Sequence, residues 1–182
     1  MPKTIAIAGG GASGLAAAVA AKQASPKTQV LLLERGDRVG RKILATGNGR
    51  CNLTNLAASP ERYSGTDLRP AASLLRRYSP ETVLAFFEDL GLLARAEDEG
   101  RVYPASGQAS AVLDVLRLAC ARLGVEERCG WEVRSISPEK RGFTLTPAQG
   151  APLVAQKVIL AAGGMAAPNF GTDGSGFSLL RA

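Results

Sequence analysis

Histidine is absent from this 182-residue sequence, and both aromatic residues and cysteines are few. Without histidine, Ser-His-Asp catalysis, histidine zinc sites and histidine general bases are excluded within this chain. Its three cysteines, Cys51, Cys120 and Cys129, form no C-x-x-C pair, so neither a zinc ribbon nor a thioredoxin-type motif is present. We predict no metal site, and no residue of the sequence stands out as catalytic.

Long apolar runs are also missing, although 46% of the residues are hydrophobic. No run reaches the roughly 20 residues of a membrane span without a glycine interruption. Residues 5–21 resemble a signal peptide, but three consecutive glycines interrupt the part that would have to be apolar. We therefore expect no membrane partner and a cytoplasmic location.

Acidic residues are fewer than basic ones, which gives a net charge of +6. The excess lies in residues 1–56, where eight basic residues face two acids, and five of these eight follow Glu34 directly. This placement suits a small polyanion such as a pyrophosphate, with a solvated basic face as the alternative. Nucleic acid is disfavoured as a partner, because aromatic residues make up only 5% and are not interleaved with the cations.

The stretch from Thr4 to Glu34 reads as strand, glycine turn, helix, strand and acid. Residues 4–8 and 29–33 are short apolar runs, typical of buried parallel strands, and residues 15–24 are rich in the helix former alanine. Between the two strands stands G-x-G-x-x-G, and Glu34 follows its last glycine by 20 residues. This order predicts a Rossmann-like α/β domain that binds a dinucleotide. The predicted contacts are Gly9, Gly11, Ala12, Ser13 and Gly14 at the pyrophosphate and Glu34 at the ribose.

Each residue of this motif has a physical reason. Gly9 permits the tight turn, Gly11 lets the backbone approach a pyrophosphate, and Gly14 lets the helix pack close to the strand. The helix N-terminus supplies free N–H groups and a partial positive charge. The Glu34 carboxylate can accept both ribose hydroxyls but would repel a 2′-phosphate, so NADP is disfavoured.

The sequence pattern of residues 35–56 indicates which dinucleotide the domain binds. An NAD dehydrogenase would continue here with an amphipathic helix and a third strand, whereas this segment has neither period and is dense in glycine, asparagine, threonine and arginine. Such a polar loop suits a longer ligand, and we predict FAD. Arg41 or Lys42 would neutralise phosphate charge, and residues 46–52 would approach the ribityl chain and the ring. The candidate cofactor-binding residues of this loop are Arg35, Arg41, Lys42, Thr46, Gly47, Asn48, Gly49, Arg50 and Asn52.

Three motifs carry a resemblance to a known family. They are Gly-Arg-Lys-Ile-Leu at 40–44 with Gly-Asn-Gly-Arg-Cys-Asn at 47–52, Gly-Arg-Val-Tyr-Pro at 100–104, and Ala-Ala-Gly-Gly at 161–164 followed by Gly-Thr-Asp-Gly at 171–174. Together they resemble the bacterial FAD-dependent oxidoreductases that include the aminoacetone oxidase and bile-acid dehydro-reductase types. The resemblance implies a glutathione-reductase-like flavoprotein fold, in which a β-meander follows the first βαβ unit.

The remaining pattern fits that fold. We expect a helix from Pro80 to about Leu90, a hairpin over residues 93–104 and a helix over residues 108–123 with Cys120 in the core. Strands at 131–137 and 143–146 would form the meander, and one buried strand would run from 154 to 162. By analogy with the fold, the backbone near Val133 would meet the adenine, with a plain structural strand as the alternative. Ala162 and Gly163 complete the predicted site.

The resemblance also bears on function. Family members continue past this point with a substrate domain and a second FAD-binding segment, so residues 1–182 are interpreted as the N-terminal portion of an FAD-binding domain, truncated at its C-terminus. The expected reaction is hydride transfer between a small organic substrate and flavin, with NADH as a candidate donor. Two alternatives stay open, a non-catalytic dinucleotide-binding fragment and a flavin-dependent RNA-modifying enzyme, the latter suggested by the basic charge alone.

A first prediction concerns the 182-residue chain alone. We expect no turnover and FAD binding that is loose or absent, because the motifs contact the ADP end of FAD. Much of the apolar isoalloxazine ring is then left without the roughly 25 cal/mol per Å² that its burial would contribute. Dialysis with FAD followed by an absorbance scan and an oxidase assay checks this. A chain that retains one FAD per molecule after dialysis, seen by its visible flavin absorbance, and that also consumes oxygen would contradict this prediction.

Overall fold

A parallel sheet carries the dinucleotide motif. The computed structural model describes residues 3–180, and the chain divides into two compact units, Met1–Lys42 with Leu116–Ala182 and Ile43–Val115. The sheet of the first unit has the order β10-β1-β2-β6, with every neighbouring pair parallel. Its strands are β1 (Thr4–Ala8), β2 (Gln29–Leu33), β6 (Glu126–Arg128) and β10 (Lys157–Leu160). The predicted Rossmann-like α/β fold is confirmed.

The two faces of this sheet are covered by different elements, as the period-2 alternation of strand side chains requires. Leu32 points toward helix α1 (Ala12–Ala24), where its Cδ1 lies 3.3 Å from the Cβ position of Gly14. On the other side, Leu31 and Leu33 form a core cluster with Leu145 of the meander. The meander is the antiparallel sheet β7 (Val133–Glu139), β8 (Gly142–Pro147) and β9 (Leu153–Ala155).

Helix α5 (Ala109–Arg122) connects the two units along the chain and places Cys120 in the core, as predicted. The Cys120 side chain is fully buried, and its thiol donates to the carbonyl of Leu15 at 3.8 Å. Burial raises the pKa of this thiol to about 11, so it stays protonated and unreactive at neutral pH.

The second unit is built around a small antiparallel sheet in the order β3-β5-β4. Ser79 caps helix α4 by accepting a hydrogen bond from the Thr82 N–H, and Pro80 is the first helical residue, as the sequence predicts. Helix α3 is an addition that the sequence analysis does not predict. The elements of this unit are α2 (Arg41–Ala45), which starts in the first unit, β3 (Thr54–Asn55), α3 (Arg69–Arg77), α4 (Pro80–Asp89), β4 (Ala94–Ala96) and β5 (Arg101–Pro104).

Two expectations need correction. Residues 35–56 are not loop throughout, because α2 forms one helical turn that buries Ile43, and a single turn is too short to show a helical period. The single strand expected at 154–162 is two strands in two sheets. The chain leaves the meander at Ala155 and enters the parallel sheet at Lys157, and a continuous apolar pattern does not reveal such a change of sheet.

The last described element is helix α6 (Ser175–Leu179). Ala182, at which the sequence analysis interprets the domain as truncated, lies outside the described residues. Within residues 3–180, the helices are all too short or too polar to span a bilayer.

Candidate dinucleotide-binding site

The site lies where three parallel strands end. The glycine turn follows β1, Glu34 follows β2 and Ala161 follows β10. The Gly9 N–H donates to the Leu33 carbonyl, and the Ala161 N–H donates to the Ala8 carbonyl, each at 2.8 Å. These bonds hold the three chain segments side by side at the edge of the sheet where ligands of open α/β folds bind.

The glycine turn is too tight for side chains at two positions. Gly9 has a φ of +110°, and a Cβ on it would lie 2.5 Å from the Ala161 carbonyl oxygen. A Cβ on Gly14 would lie 1.8 Å from the Gly9 carbonyl oxygen. Because both contacts are with backbone, nothing can move aside, and the N-terminus of α1 stays close to the ends of the strands.

Gly11 has the opposite environment. A Cβ built on Gly11 meets no heavy atom within 4 Å, so this position faces open space. Gly11 is also the N-cap residue of α1, and its position leaves the first helical N–H groups, those of Ala12 and Ser13, without a side-chain cap. These donors and the helix dipole favour an anion in the space beside Gly11.

The Glu34 carboxylate is held by backbone donors on both oxygens. Its Oε2 accepts from the Gly10 N–H at 2.8 Å, and its Oε1 accepts from the Gly36 N–H at 2.7 Å. The side chain is therefore fixed across the glycine turn, and each oxygen keeps a second lone pair for a ligand hydroxyl.

Basic side chains line the same cavity as the Glu34 carboxylate. Arg38, Arg41 and Lys42 line the same cavity, and no carboxylate of residues 3–180 forms an ion pair with any of them. Arg35 differs, because it pairs with Asp173 at 2.8 Å. This hydrogen bond holds the pKa of Asp173 well below its ordinary value. The cavity thus offers an anionic ligand three cations that form no ion pair among the described residues, against one carboxylate, that of Glu34.

The cavity measures about 300 Å³, within the range of small-molecule sites. It brings together most of the residues predicted for the pyrophosphate, the ribose and the closing strand, while Gly14 lies buried beneath the turn. The predicted residues that line it are Gly9, Gly11, Ala12, Ser13, Glu34, Arg35, Arg41, Lys42, Ala162 and Gly163.

Val133 lines a second, smaller cavity of about 70 Å³, which shares Gly9, Glu34 and Arg35 with the first and adds Trp131. The Trp131 N–H donates to the Glu34 carbonyl at 2.9 Å, so the start of the meander is tied to the end of β2. The two cavities together reach from the glycine turn to Val133.

The predicted loop residues 46–52 belong to the second unit, and their role stays a prediction. Gly47 and Asn48 have positive φ values of 54° and 55°. The Arg50 guanidinium lies 4.0 Å from the centre of the Tyr103 ring and pairs with Glu97 at 2.5 Å. Arg50 is thus engaged within its own unit. Of the other predicted contacts here, Thr46 donates to the Ile43 carbonyl at 2.6 Å, while Gly49 and Asn52 complete the loop.

Sequence reasoning missed several residues of the site. Gly10, the variable position of the glycine motif, supplies a donor to Glu34. Phe170, Gly171 and Thr172 form part of the cavity wall, although they lie far along the chain from the glycine turn. The Gly-Thr-Asp-Gly motif at 171–174 was the available signal, but nothing in one sequence states which segment it packs against.

The acidic and cysteine side chains of residues 3–180 are the groups that could bind a metal ion or react as thiols. No group of three or more acidic or cysteine side chains there is arranged to hold a metal ion. The three cysteines are all unpaired, with Cys120 buried, Cys129 exposed and Cys51 half-buried.

The fold and the cavity define a dinucleotide-binding Rossmann domain. Residues 3–182 match the HI0933-like protein Rossmann domain, and the chain belongs to this family. The family comprises FAD-dependent oxidoreductases, which confirms the predicted cofactor, FAD.

Two curated relatives show the extent of the similarity. The chain is 42% identical over 177 residues to a 3-dehydro-bile acid delta(4,6)-reductase of Clostridium scindens, covering 97% of this chain and 43% of the relative. It is 31% identical over 173 residues to a ribosomal RNA dihydrouridine synthase of Escherichia coli, covering 95% and 42%. The chain therefore spans about two fifths of the length of the curated relatives it matches.

Solved structures support the fold. A 3-ketosteroid-delta4-(5alpha)-dehydrogenase from Rhodococcus jostii superposes with a TM-score of 0.67 at 16% identity, over 90% of this chain and 46% of the other. At this identity the likeness concerns the fold alone.

The glycine turn yields a matched pair of substitutions. We expect Gly11→Val to abolish dinucleotide binding with little change in the unfolding free energy, because its side chain would fill the open space beside the helix N-terminus. Gly14→Val should instead destabilise the fold by more than ~2 kcal/mol, because it clashes with backbone. Chemical denaturation and a calorimetric FAD titration distinguish the two. Retained affinity in folded Gly11→Val would mean that the turn faces something else.

The carboxylate gives a second prediction for this site. We expect Glu34→Ala to weaken FAD or ADP-ribose binding by about 1.5–3 kcal/mol, the range for a hydrogen bond to a charged group. Glu34→Gln should also weaken binding, because its amide nitrogen cannot accept from either backbone N–H that holds the carboxylate. Asp37→Ala removes an exposed acid of the same segment and should leave the affinity unchanged. Equal affinities of the wild type and Glu34→Ala would refute the role.

Proposed function

We propose that this chain is the FAD-binding portion of a flavin-dependent oxidoreductase that transfers hydride between a small organic substrate and flavin. The observation that carries the proposal is the cavity itself. It joins an open glycine position at a helix N-terminus to a carboxylate fixed across the same turn. One end suits a pyrophosphate and the other a ribose, at neighbouring places in one cavity.

The residues present fit the ADP half of FAD. The space beside Gly11 admits backbone contact with the pyrophosphate, and Ala12 and Ser13 supply N–H donors there. The free cations Arg41 and Lys42 balance its charge. Glu34 would accept the ribose hydroxyls, and the backbone near Val133 would contact the adenine.

When bound, FAD supplies the hydride chemistry, and the protein's part is to bind and orient it. The chain contributes donors that are fixed before binding, since Glu34 already has both oxygens engaged by backbone. Such pre-organisation lowers the entropy cost of binding. Contacts of residues 46–52 with the ribityl chain and ring, and NADH as the electron donor, belong to the proposal.

The substrate class is inferred from the name of a relative. The relative that is 42% identical is named as a 3-dehydro-bile acid delta(4,6)-reductase, which supports a small organic substrate and a reductive direction. A cytoplasmic location is part of this proposal, because three consecutive glycines interrupt the signal-like stretch at residues 5–21.

An RNA-modifying role is the second candidate. It is favoured by the 31% identical relative, which is named as a ribosomal RNA dihydrouridine synthase, and by the net charge of +6. A relative named for RNA thus matches 95% of this chain, and the scarcity of aromatic residues is the argument against this role. Retention on RNA at moderate salt that is lost at high salt would favour this candidate.

A titration with FAD, NAD and ADP-ribose tests the leading proposal. We expect FAD and ADP-ribose to bind and NAD to bind more weakly, with the visible flavin spectrum perturbed on binding. Heat release of flavin from the full-length enzyme separates a flavoenzyme from a non-catalytic nucleotide-binding remnant. Tight retention of NAD with no binding of flavin would contradict the proposal.

A further inference from the structure

Arg35 follows the ribose-site carboxylate, yet its guanidinium is engaged elsewhere. Nη1 donates to Asp173 Oδ2 at 2.8 Å, and Nη2 donates to the Gly171 carbonyl. Arg35 is only 31% exposed, so the guanidinium is partly withdrawn from solvent. Both acceptors lie more than 130 residues further along the chain, in the segment after β10.

That segment, residues 163–174, is braced internally and forms one wall of the cavity. The buried Thr172 hydroxyl accepts from the Ala167 N–H at 3.1 Å and donates to the Ala167 carbonyl at 2.8 Å. The Gly174 N–H donates to the Gly164 carbonyl at 3.1 Å. These bonds make the wall a self-contained loop.

Few hydrogen bonds join residues 163–174 to the rest of the first unit. Apart from bonds with the start of α6, the described hydrogen bonds from residues 163–174 to other segments of this unit all come from Arg35. Asp173 is itself fixed, because its second oxygen accepts from the Ser175 N–H at 3.0 Å. A rigid acceptor on the loop thus meets a donor anchored beside Glu34.

We propose that Arg35 is a positioning residue that holds the wall loop 163–174 against the dinucleotide through Asp173 and Gly171, and not a ligand of the phosphates. This inference rests on the proposed function, since it assigns Arg35 a role toward bound FAD. Arg35 is already compensated by Asp173, whereas Arg38, Arg41 and Lys42 remain free to meet phosphate charge.

The two roles predict opposite effects of one substitution. If Arg35 positions the loop, Asp173→Asn releases Phe170 and Thr172 from the cavity wall, and FAD binds more weakly because the loop must be ordered on binding. If Arg35 were a phosphate ligand, the same change would free its charge and remove a nearby negative one, so FAD would bind more tightly.

The experiment compares four variants with the wild type, all in the full 182-residue chain. They are Asp173→Asn, Arg35→Gln, the double variant and Asp37→Asn. The last removes one negative charge from the same basic segment at an exposed acid that pairs with no described residue, so it controls for net charge. Hydrogen exchange of peptides covering residues 165–177 is measured without ligand, and FAD affinity is measured by calorimetry.

We expect Asp173→Asn to weaken FAD binding by about two- to fivefold, as for a partly exposed ion pair, and Arg35→Gln by somewhat more because it also loses the Gly171 bond. The double variant should match Arg35→Gln, since both changes break the same contact. Peptides of the loop should exchange faster in all three, and Asp37→Asn should behave as wild type.

Three results would overturn the inference or its premise. Tighter FAD binding by Asp173→Asn would identify Arg35 as a phosphate ligand. Unchanged exchange in the loop peptides would show that Arg35 does not hold the loop, whatever the affinities. Absence of both FAD and ADP-ribose binding by the wild type would refute the proposed function and with it the role toward FAD, while the exchange data would still report on the hydrogen bonds between Arg35 and the loop.

Discussion

The close contact between helix α1 and the glycine turn is the constraint on which the site depends. The position of Gly14 leaves no room for even a methyl group beside the Gly9 carbonyl, so the helix begins directly at the ends of the strands. Only in this arrangement do the first helical N–H groups face the space beside Gly11. A helix displaced by one side chain would carry the same sequence and dipole but would point its donors away from the cavity.

Hydrogen bonds of Glu34 and Arg35 connect further segments to the glycine turn. The Gly10 N–H and the Gly36 N–H hold Glu34 across the turn, and Trp131 ties the start of the meander to the same residue through its carbonyl. Arg35, the next residue, bonds to the loop after β10. Two consecutive residues at the end of β2 thus connect the turn, the meander and the wall loop.

A single sequence predicts those parts of the fold and the site that neighbouring residues encode, and it does not predict contacts between residues far apart in the chain. The strand, glycine turn, helix, strand and acid between Thr4 and Glu34 are all predictable, because each is encoded by its own residues and their spacing. Strand β6 was not predicted, because Glu126–Arg128 is polar and lies at the sheet edge, where no apolar run is required. The bond from Arg35 to Asp173 joins residues 138 positions apart, and no periodicity or spacing in one sequence specifies such a contact.

The proposed site places the ribose of a dinucleotide at Glu34 and its phosphates beside Gly11. Calorimetric titration with ADP-ribose and with its 2′-phosphorylated form tests this most directly. We predict that the 2′-phosphate weakens binding at least about tenfold, or ~1.4 kcal/mol, because it would lie against a carboxylate fixed by two backbone donors. Equal or tighter binding of the 2′-phosphorylated ligand would show that the free arginines, and not Glu34, govern the ribose end, and would contradict the account.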